Sequence, residues 1–276
     1  MIRTGILTDT DTGSKPGKAL SLLKEMIFPF VIPVGDKVGC LSAEAESAIQ
    51  SSDAIYVDMT AFTADQIRTA FRSSTHVFFR KMPRLTLNET HELISLQNEA
   101  CCVTQLFLPH LFLPEHLSLL KHLQRPLLIN VRLKARPAGE LEQQLMETFL
   151  FLTVLDKSSL KKLDVNTLEG EDQSYVLDIR LSYSSGSVAR LILSTHFSED
   201  QSVLELFRIS KPIISLPVRD LDEIQLINSE QTALREFING IKGQAAVLVS
   251  LNEIYQAGLM MREVNEKLRM RGSFLL

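Results

Sequence analysis

The sequence predicts two domains, an α/β domain with a parallel sheet over residues 1–121 and an α+β domain with helices over residues 122–276. Two patterns predict this. In the first half, short and uniformly apolar segments take turns with helix-like segments, as in βαβ units whose sheet is covered on both faces. In the second half, apolar and polar residues alternate along the strands, which is typical of a mostly antiparallel, open-faced sheet.

The composition is that of a globular protein. Of 276 residues, 45% are hydrophobic and 22% are charged, and the net charge is −4. This balance argues against disorder and against a nucleic-acid or membrane partner. The start of the chain lacks the apolar core of a signal peptide, and no run reaches the ~20 apolar residues of a membrane span. Cys40, Cys101 and Cys102 lack metal-ligand spacing, so we expect a cytoplasmic protein without a metal site.

Strands and helices take turns along the first domain. The predicted strands cover residues 4–7, 30–34, 54–57, 76–79 and 103–108. The predicted helices cover residues 14–24, 43–50, 64–72 and 87–99. Thr86 and Glu89 have the spacing of a capping box at the start of the last of these helices. This order indicates right-handed βαβ crossovers and a Rossmann-like parallel sheet.

The second domain combines a hairpin with long helices. Its predicted strands cover residues 126–133, 175–183, 188–193, 203–209 and 212–217. Its predicted helices cover residues 138–155, 232–242 and 251–269. The turn Ser184-Ser185-Gly186-Ser187 joins the hairpin strands, and residues 224–227 are either a last strand or the entry to a helix. We expect the terminal helices to pack back toward the first domain.

Several segments together resemble one enzyme family. Residues 76–87 read HVFFRKMPRLTL, which resembles the H-V-x-x-E-K-P-x-x-x-T motif of the Gfo/Idh/MocA oxidoreductases. Residues 127–133 resemble the first strand of that family's second domain, and residues 138–141 resemble the G-G-x-L that opens its catalytic helix. Residues 233–261 resemble its closing helices. The resemblance spans nearly the whole chain and implies the two-domain fold of enzymes that oxidise sugars with NAD or NADP.

The cofactor loop departs from the family pattern. The resemblance implies a G-x-G-x-x-G loop after the first strand, and its three glycine positions fall on Thr8, Thr10 and Gly13. Threonine adds a β-branched side chain where backbone should approach the pyrophosphate. Asp9 and Asp11 add negative charge beside the same group. We therefore favour a hydrophilic turn that caps the next helix; a nucleotide-binding loop and a metal-binding Asp pair are the alternatives.

Two further cofactor positions follow from the resemblance. Asp36 comes after the second strand at the spacing of the carboxylate that binds the ribose, although a turn residue explains it as well. The third strand of the family ends in A-T-P with a histidine a few residues later. The matching positions here are Val57-Asp58-Met59 and Thr63, so part of the wall beside the nicotinamide is missing.

The catalytic positions are only partly kept. Lys81 matches the family lysine that binds the substrate hydroxyl, but Arg80 replaces the glutamate before it. The D-x-x-x-H pair of the catalytic helix falls on Gln143 and Glu147, which still share one helix face. We expect Lys81, Gln143 and Glu147 to line a cleft at the carboxyl ends of the parallel strands. A solvated or paired lysine and a polar cleft lining are the alternatives.

Three functions follow from these residues. The favoured one is a non-catalytic or repurposed binding or scaffold protein on an oxidoreductase-like fold, with no cofactor and with a small-molecule or protein partner that the sequence does not name. The alternative is an active NAD- or NADP-dependent oxidoreductase on a sugar-like substrate, with Lys81 in its family role. The third is a cleft enzyme of another reaction class.

The open sheet face predicts a homodimer. The resemblance implies pairing through the open face of the second sheet. On the strand over residues 175–183, this face carries Val176, Asp178, Arg180 and Ser182, a mixture typical of a recognition surface. Around a twofold axis, Asp178 and Arg180 would pair between subunits. A solvated face on a monomer is the alternative.

Overall fold

The chain forms two compact units in a computed structural model, which describes residues 2–9, 26–27, 31–34, 43–59, 62–170, 174–208 and 211–273. The first unit comprises Met1–His116 and Leu221–Tyr255, and the second comprises Leu117–Asp220 and Gln256–Leu276. Each unit contains one six-stranded sheet. The predicted helix over residues 14–24 lies outside the described residues.

The sheet of the first unit is parallel throughout. Its strands are β1 (Ile2–Asp9), β2 (Met26–Ile27), β3 (Val31–Val34), β4 (Ala54–Asp58), β5 (His76–Phe79) and β6 (Thr104–Leu106). The order is β2-β1-β4-β5-β6, and β3 also pairs with β1. All pairings are parallel. The predicted Rossmann-like sheet is therefore confirmed, and its central strands are buried as their uniform apolar sequence predicts.

Helices follow strands along the first unit, and one helix from a much later part of the chain also packs on its sheet. The helices in the described part of the chain are α1 (Ala43–Ser51), α2 (Ala64–Arg72), α3 (Leu87–Glu99), α4 (Pro114–Lys121), α5 (Ala138–Leu155), α6 (Glu223–Ile241) and α7 (Leu251–Met270). The capping box of α3 is confirmed, because Thr86 and Glu89 bond each other's backbone N–H groups. Phe237 of α6 stands edge-on to Phe78, which stacks on Tyr56, so α6 covers part of the parallel sheet.

The sheet of the second unit is mixed but mostly antiparallel. Its strands are β7 (Leu127–Lys134), β8 (Leu160–Glu169), β9 (Tyr175–Tyr183), β10 (Val188–Ser194), β11 (Val203–Arg208) and β12 (Lys211–Pro217). The order is β12-β11-β7-β10-β9-β8. Only β7 and β10 pair in parallel among these strands. The predicted alternation along β9 is confirmed: every second residue from Tyr175 to Tyr183 is buried, and those between are half-buried or exposed.

The structure decides one open alternative at the border of this unit and adds one strand. Residues 224–227 form the entry to a helix, as one of the two alternatives predicted: they lie in the first turns of α6, whose N-cap Asp222 accepts a hydrogen bond from the backbone N–H of Gln225. The strand β8 was not predicted. Its segment carries Lys161, Lys162 and Asp164, and such charges mark an edge strand rather than a buried one.

His76 connects β5 to the segment before β6. Its Nδ1 accepts a hydrogen bond from the backbone N–H of Val103 at 2.9 Å, which requires a ring without a proton on that nitrogen. Burial lowers the pKa of His76, while the charge of Asp53 opposes this shift. Geometry and burial thus both favour the neutral ring in the folded protein.

Acidification should therefore weaken the fold through His76. Because its folded-state pKa lies below the unfolded value of about 6.5, its stabilising effect is complete above that pH and is lost as the pH falls. We expect the melting temperature to drop between about pH 7 and pH 5, and the His76→Gln variant to drop less. His122→Gln, at an exposed position, is the control. Equal slopes for wild type and His76→Gln would contradict the prediction.

Candidate functional site

The candidate site lies at the carboxyl edge of the parallel sheet, where open α/β sheets bind their ligands. Asp58 is the last residue of β4, and Arg80 and Lys81 directly follow β5. Thr8, near the end of β1, pairs in register with Asp58. Because β1, β4 and β5 run in the same direction, the residues at their carboxyl ends lie along one edge of the sheet.

Arg80 joins two carboxylates at this edge. Its Nη1 donates to Oδ2 of Asp58 at 2.9 Å, and its Nε lies 3.3 Å from Oε1 of Glu230. Lys81 adds a second cation, with its Nζ 3.4 Å from Oδ1 of Asp58. Glu230 comes from α6 and accepts a short hydrogen bond from the Tyr56 hydroxyl. We call Asp58, Arg80, Lys81 and Glu230 the edge network.

The negative charges of the edge network are buried beneath the positive ones. The side chains of Asp58 and Glu230 are 0% and 7% exposed, whereas those of Arg80 and Lys81 are 23% and 29% exposed. Burial raises the pKa of Glu230, and it raises the pKa of the Tyr56 phenol strongly. Burial also opposes the charge of Arg80, but Tyr56, Glu230 and Asp58 outweigh it and raise the pKa of the guanidinium.

The other two catalytic positions lie in the second unit, on α5. The side chain of Gln143 donates from Nε2 to Oε1 of Glu147 at 2.8 Å, as expected for neighbours on one helix face. Nη1 of Arg136 lies 3.5 Å from the other Glu147 oxygen, Oε2. The carboxylate of Glu147 therefore has two partners within its own unit. That Gln143 and Glu147 share a cleft with Lys81 stays a prediction.

The cofactor positions are described only in part. Thr10, Gly13 and Asp36 lie outside the described residues, as does the side chain of Asp9. Thr8 is described, and its side chain is buried at the end of β1. The predictions for all of these positions therefore stay predictions.

Part of the edge network was not predicted from the sequence. Asp58 and Arg80 were predicted only as departures from a family pattern, although they follow neighbouring buried apolar strands and carry opposite charges. That pairing was a usable signal. Glu230 and Tyr56 gave no such signal, because they lie 174 residues apart in the chain.

A nicotinamide dinucleotide is the cofactor that the resemblance implies here. In such sites the first glycine lets the backbone approach the pyrophosphate. At the position where the resemblance implies that glycine, this chain has Thr8, whose β-branched side chain is buried, and beside it lies Asp58, a carboxylate paired with Arg80 and Lys81. These residues do not fit a dinucleotide, and we derive no hydride transfer from them.

Comparison with solved structures finds the same architecture in oxidoreductases. A myo-inositol dehydrogenase from Corynebacterium glutamicum ATCC 13032 has a TM-score of 0.76 at 12% identity, over 99% of this chain and 98% of that one. A UDP-N-acetylglucosamine 3-dehydrogenase from Acidithiobacillus ferrooxidans has 0.71 at 13%, over 100% and 99%. A biliverdin reductase from Synechocystis sp. PCC 6803, in complex with biliverdin and NADP+, has 0.61 at 11%, over 96% and 98%.

No protein-family model and no curated protein matches the chain. None of the helices in the described ranges combines the length and the apolar character of a membrane span. Within the same ranges, no group of three or more His, Cys, Asp or Glu side chains is placed to hold a metal ion. Coverage of nearly the whole chain establishes the architecture: the chain has the two-domain fold of the Gfo/Idh/MocA-type dehydrogenases, as the sequence resemblance predicted.

Proposed function

We propose that this chain is a non-catalytic or repurposed binding protein built on the oxidoreductase fold. The observation that supports this is the edge network. Where the family places a glutamate, Arg80 bridges the buried carboxylates of Asp58 and Glu230. A lysine that binds a substrate hydroxyl needs its ammonium turned to the substrate, and here that of Lys81 is paired with Asp58. These ion pairs favour a binding role for this edge over hydride transfer.

The alternative is an NAD- or NADP-dependent oxidoreductase that acts on a sugar-like substrate. The structural neighbours support it, since two of them are dehydrogenases of inositol and of a nucleotide sugar, and a third is bound to NADP+. Their identity to this chain is 11–13%. We propose that the chain binds neither NAD nor NADP, because Thr8 stands where the resemblance implies the first glycine of the cofactor loop.

A thermal-shift titration with NAD+, NADH, NADP+ and NADPH separates these functions. Ligand at 100 times its dissociation constant would stabilise the folded protein by about 2.7 kcal/mol, which is a visible shift. We expect no shift with any of the four. A dehydrogenase of the same fold, titrated in the same buffer, is the positive control. A shift with one dinucleotide, together with an inositol- or sugar-dependent change in nicotinamide absorbance, would establish the alternative.

We further propose that the chain forms a homodimer through the open face of its second sheet. Four neighbouring strands carry an apolar row on this face, formed by Val188, Leu128, Phe207 and Ile213. Val188 and Phe207 flank Leu128 in register, and Leu128, Val188 and Ile213 are 50%, 40% and 59% exposed. Exposed apolar rows of this kind are typical of protein interfaces.

The charged residues of this face pair within one chain. Arg180 Nη2 and Arg190 Nε donate to Asp178 at 3.1 and 2.9 Å. The apolar row, rather than a pair between Asp178 and Arg180 across the axis, therefore supports the dimer.

Cys101 and Cys102 form no disulfide, and on this ground we keep the cytoplasm as the proposed location.

Light scattering after size-exclusion chromatography tests the dimer. At micromolar concentration we expect about twice the chain mass of 31.0 kDa. Leu128→Asp places a charge in the centre of the apolar row and should produce monomers. Ile224→Asp, which changes an apolar side chain 72% exposed on α6, is the matched control. A wild-type mass near 31.0 kDa would refute the homodimer.

A further inference from the structure

We propose that the free edge of β8 is a second self-association surface of this chain, and that the turn after α7, residues 271–273, keeps this edge closed. Among the described strands, β8 pairs with β9 only and stands at the end of its sheet. Strand and turn both belong to the second unit. The edge is distinct from the open face of the sheet, so the inference goes beyond the proposed function and does not depend on it.

The main chain of β8 presents hydrogen-bonding groups on its free side. In an antiparallel ladder, successive residues turn their N–H and C=O groups alternately toward and away from the neighbouring strand. Just after β8, the Gly170 N–H donates to the C=O of Ser174 on the side of β9, so the even-numbered residues of β8 face β9. Leu163, Val165 and Thr167 therefore direct their N–H and C=O groups to the free edge. No proline interrupts this row.

The opposite edge of the same sheet is protected differently. Just after β12, the Val218 N–H donates to the C=O of Ser202 on the side of β11, so the preceding residue, Pro217, faces the free side. Proline at such a position has no N–H to offer and discourages an added strand. On β8, the charge of Lys162 would also oppose an added strand, but it is paired with Asp164 of the same strand at 2.7 Å. The edge of β8 therefore depends on another element for protection.

The turn after α7 contacts β8 from its free side. Arg271 Nη1 donates to Oδ1 of Asn166 at 2.9 Å, and Ser273 Oγ donates a short hydrogen bond to Oε1 of Glu169. Even- and odd-numbered side chains of a strand point to opposite faces of the sheet. Since β9 occupies the other side of β8, the turn reaches both faces across the free edge. Gly272, at φ +71°, supplies the left-handed conformation that turns the chain at the end of a helix.

A second copy of β8 fits the edge that the turn covers. Antiparallel pairing about a twofold axis at Val165 brings the free N–H groups of one copy opposite the free C=O groups of the other, with about six backbone hydrogen bonds. In this register Asp164 stands opposite Asn166 of the other copy, whose amide donates to the carboxylate, and no like charges face each other directly. Asn166 is also the residue that Arg271 binds, so the turn and the second copy compete for one side chain.

Removing the contacts of the turn tests the inference. The double variant Arg271→Ala and Ser273→Ala loses both contacts with β8, and we expect it to have about twice the wild-type mass by light scattering at high micromolar concentration. This comparison holds whether the wild type is a monomer or a dimer through the open face. Arg262→Ala, which removes another exposed arginine of α7, is the matched control and should keep the wild-type mass. A double variant with the wild-type mass would overturn the inference.

Two further substitutions, each added to the double variant, locate the association at β8. Thr167→Pro removes an N–H that points to the free edge, so it blocks an added strand without breaking a hydrogen bond to β9. Asn166→Asp, at an exposed position, puts a second carboxylate opposite Asp164 in the paired strands. Each should restore the wild-type mass. A mass that stays doubled with both substitutions would overturn the inference, because the copies would then associate through another surface.

Discussion

Replacing Arg80 with methionine is expected to lower the free energy of unfolding by about 3–5 kcal/mol, the cost typical of removing one partner from a buried ion pair. The variant leaves two buried carboxylates, Asp58 and Glu230, without the guanidinium that faces both. The ammonium of Lys81 still lies beside Asp58, and the Tyr56 hydroxyl still donates to Glu230, but Arg80 is the cation that lies beside both carboxylates. Chemical denaturation of the variant and the wild type measures the difference.

A triple variant without these charges distinguishes the effect of uncompensated carboxylates from the effect of lost packing around Arg80. In the triple variant Arg80→Met, Asp58→Asn and Glu230→Gln, the uncompensated charges are gone, and we expect at least half of the lost stability to return. Arg84→Met, at an exposed position, should change little. A loss below about 1 kcal/mol for Arg80→Met, or no recovery in the triple variant, would show that the edge network does not stabilise the fold.

Replacing Asp156 with alanine is expected to destabilise the protein by about 3 kcal/mol, because it removes a buried acceptor on which several donors depend. Its carboxylate is completely buried at the end of α5. Ser185 Oγ donates to Oδ2 at 2.6 Å, and the backbone N–H of Ser158 donates to Oδ1 at 2.9 Å. Arg125 Nε lies 3.4 Å from Oδ1.

The stability difference between wild type and Asp156→Ala should also depend on pH. Burial opposes the charge of Asp156, but the hydrogen bonds from Ser185, Ser187 and Ser158 outweigh it and lower the pKa of the carboxyl. Its contribution is therefore complete above the ordinary value of 3.8 and is lost as the pH falls below it. The stability gap between wild type and Asp156→Ala should narrow below about pH 4. The exposed Asp200→Ala should show neither a gap nor a change with pH.

Much of the fold follows from local sequence patterns. The bounds of α2, α3, α5, β5 and β9 agree with the predictions residue for residue. In each case a side-chain period or a cap acts over a few neighbouring residues, which a single sequence displays directly. β8 was missed because an edge strand carries charges that blur its period, and its pairing with β9 supplies what its own sequence does not.

By itself, the sequence determined most of the order of strands and helices, the alternation that leaves one face of the second sheet open, and the position of Arg80 and Lys81 directly after a buried strand. Only the tertiary structure decided the parallel pairing of β7 with β10 and the arrival of Glu230 beside Tyr56, 174 residues away. The physical reason is the separation along the chain of the residues that interact. Helix and strand periods arise between near neighbours, whereas strand pairing and a shared buried charge depend on how distant segments pack together.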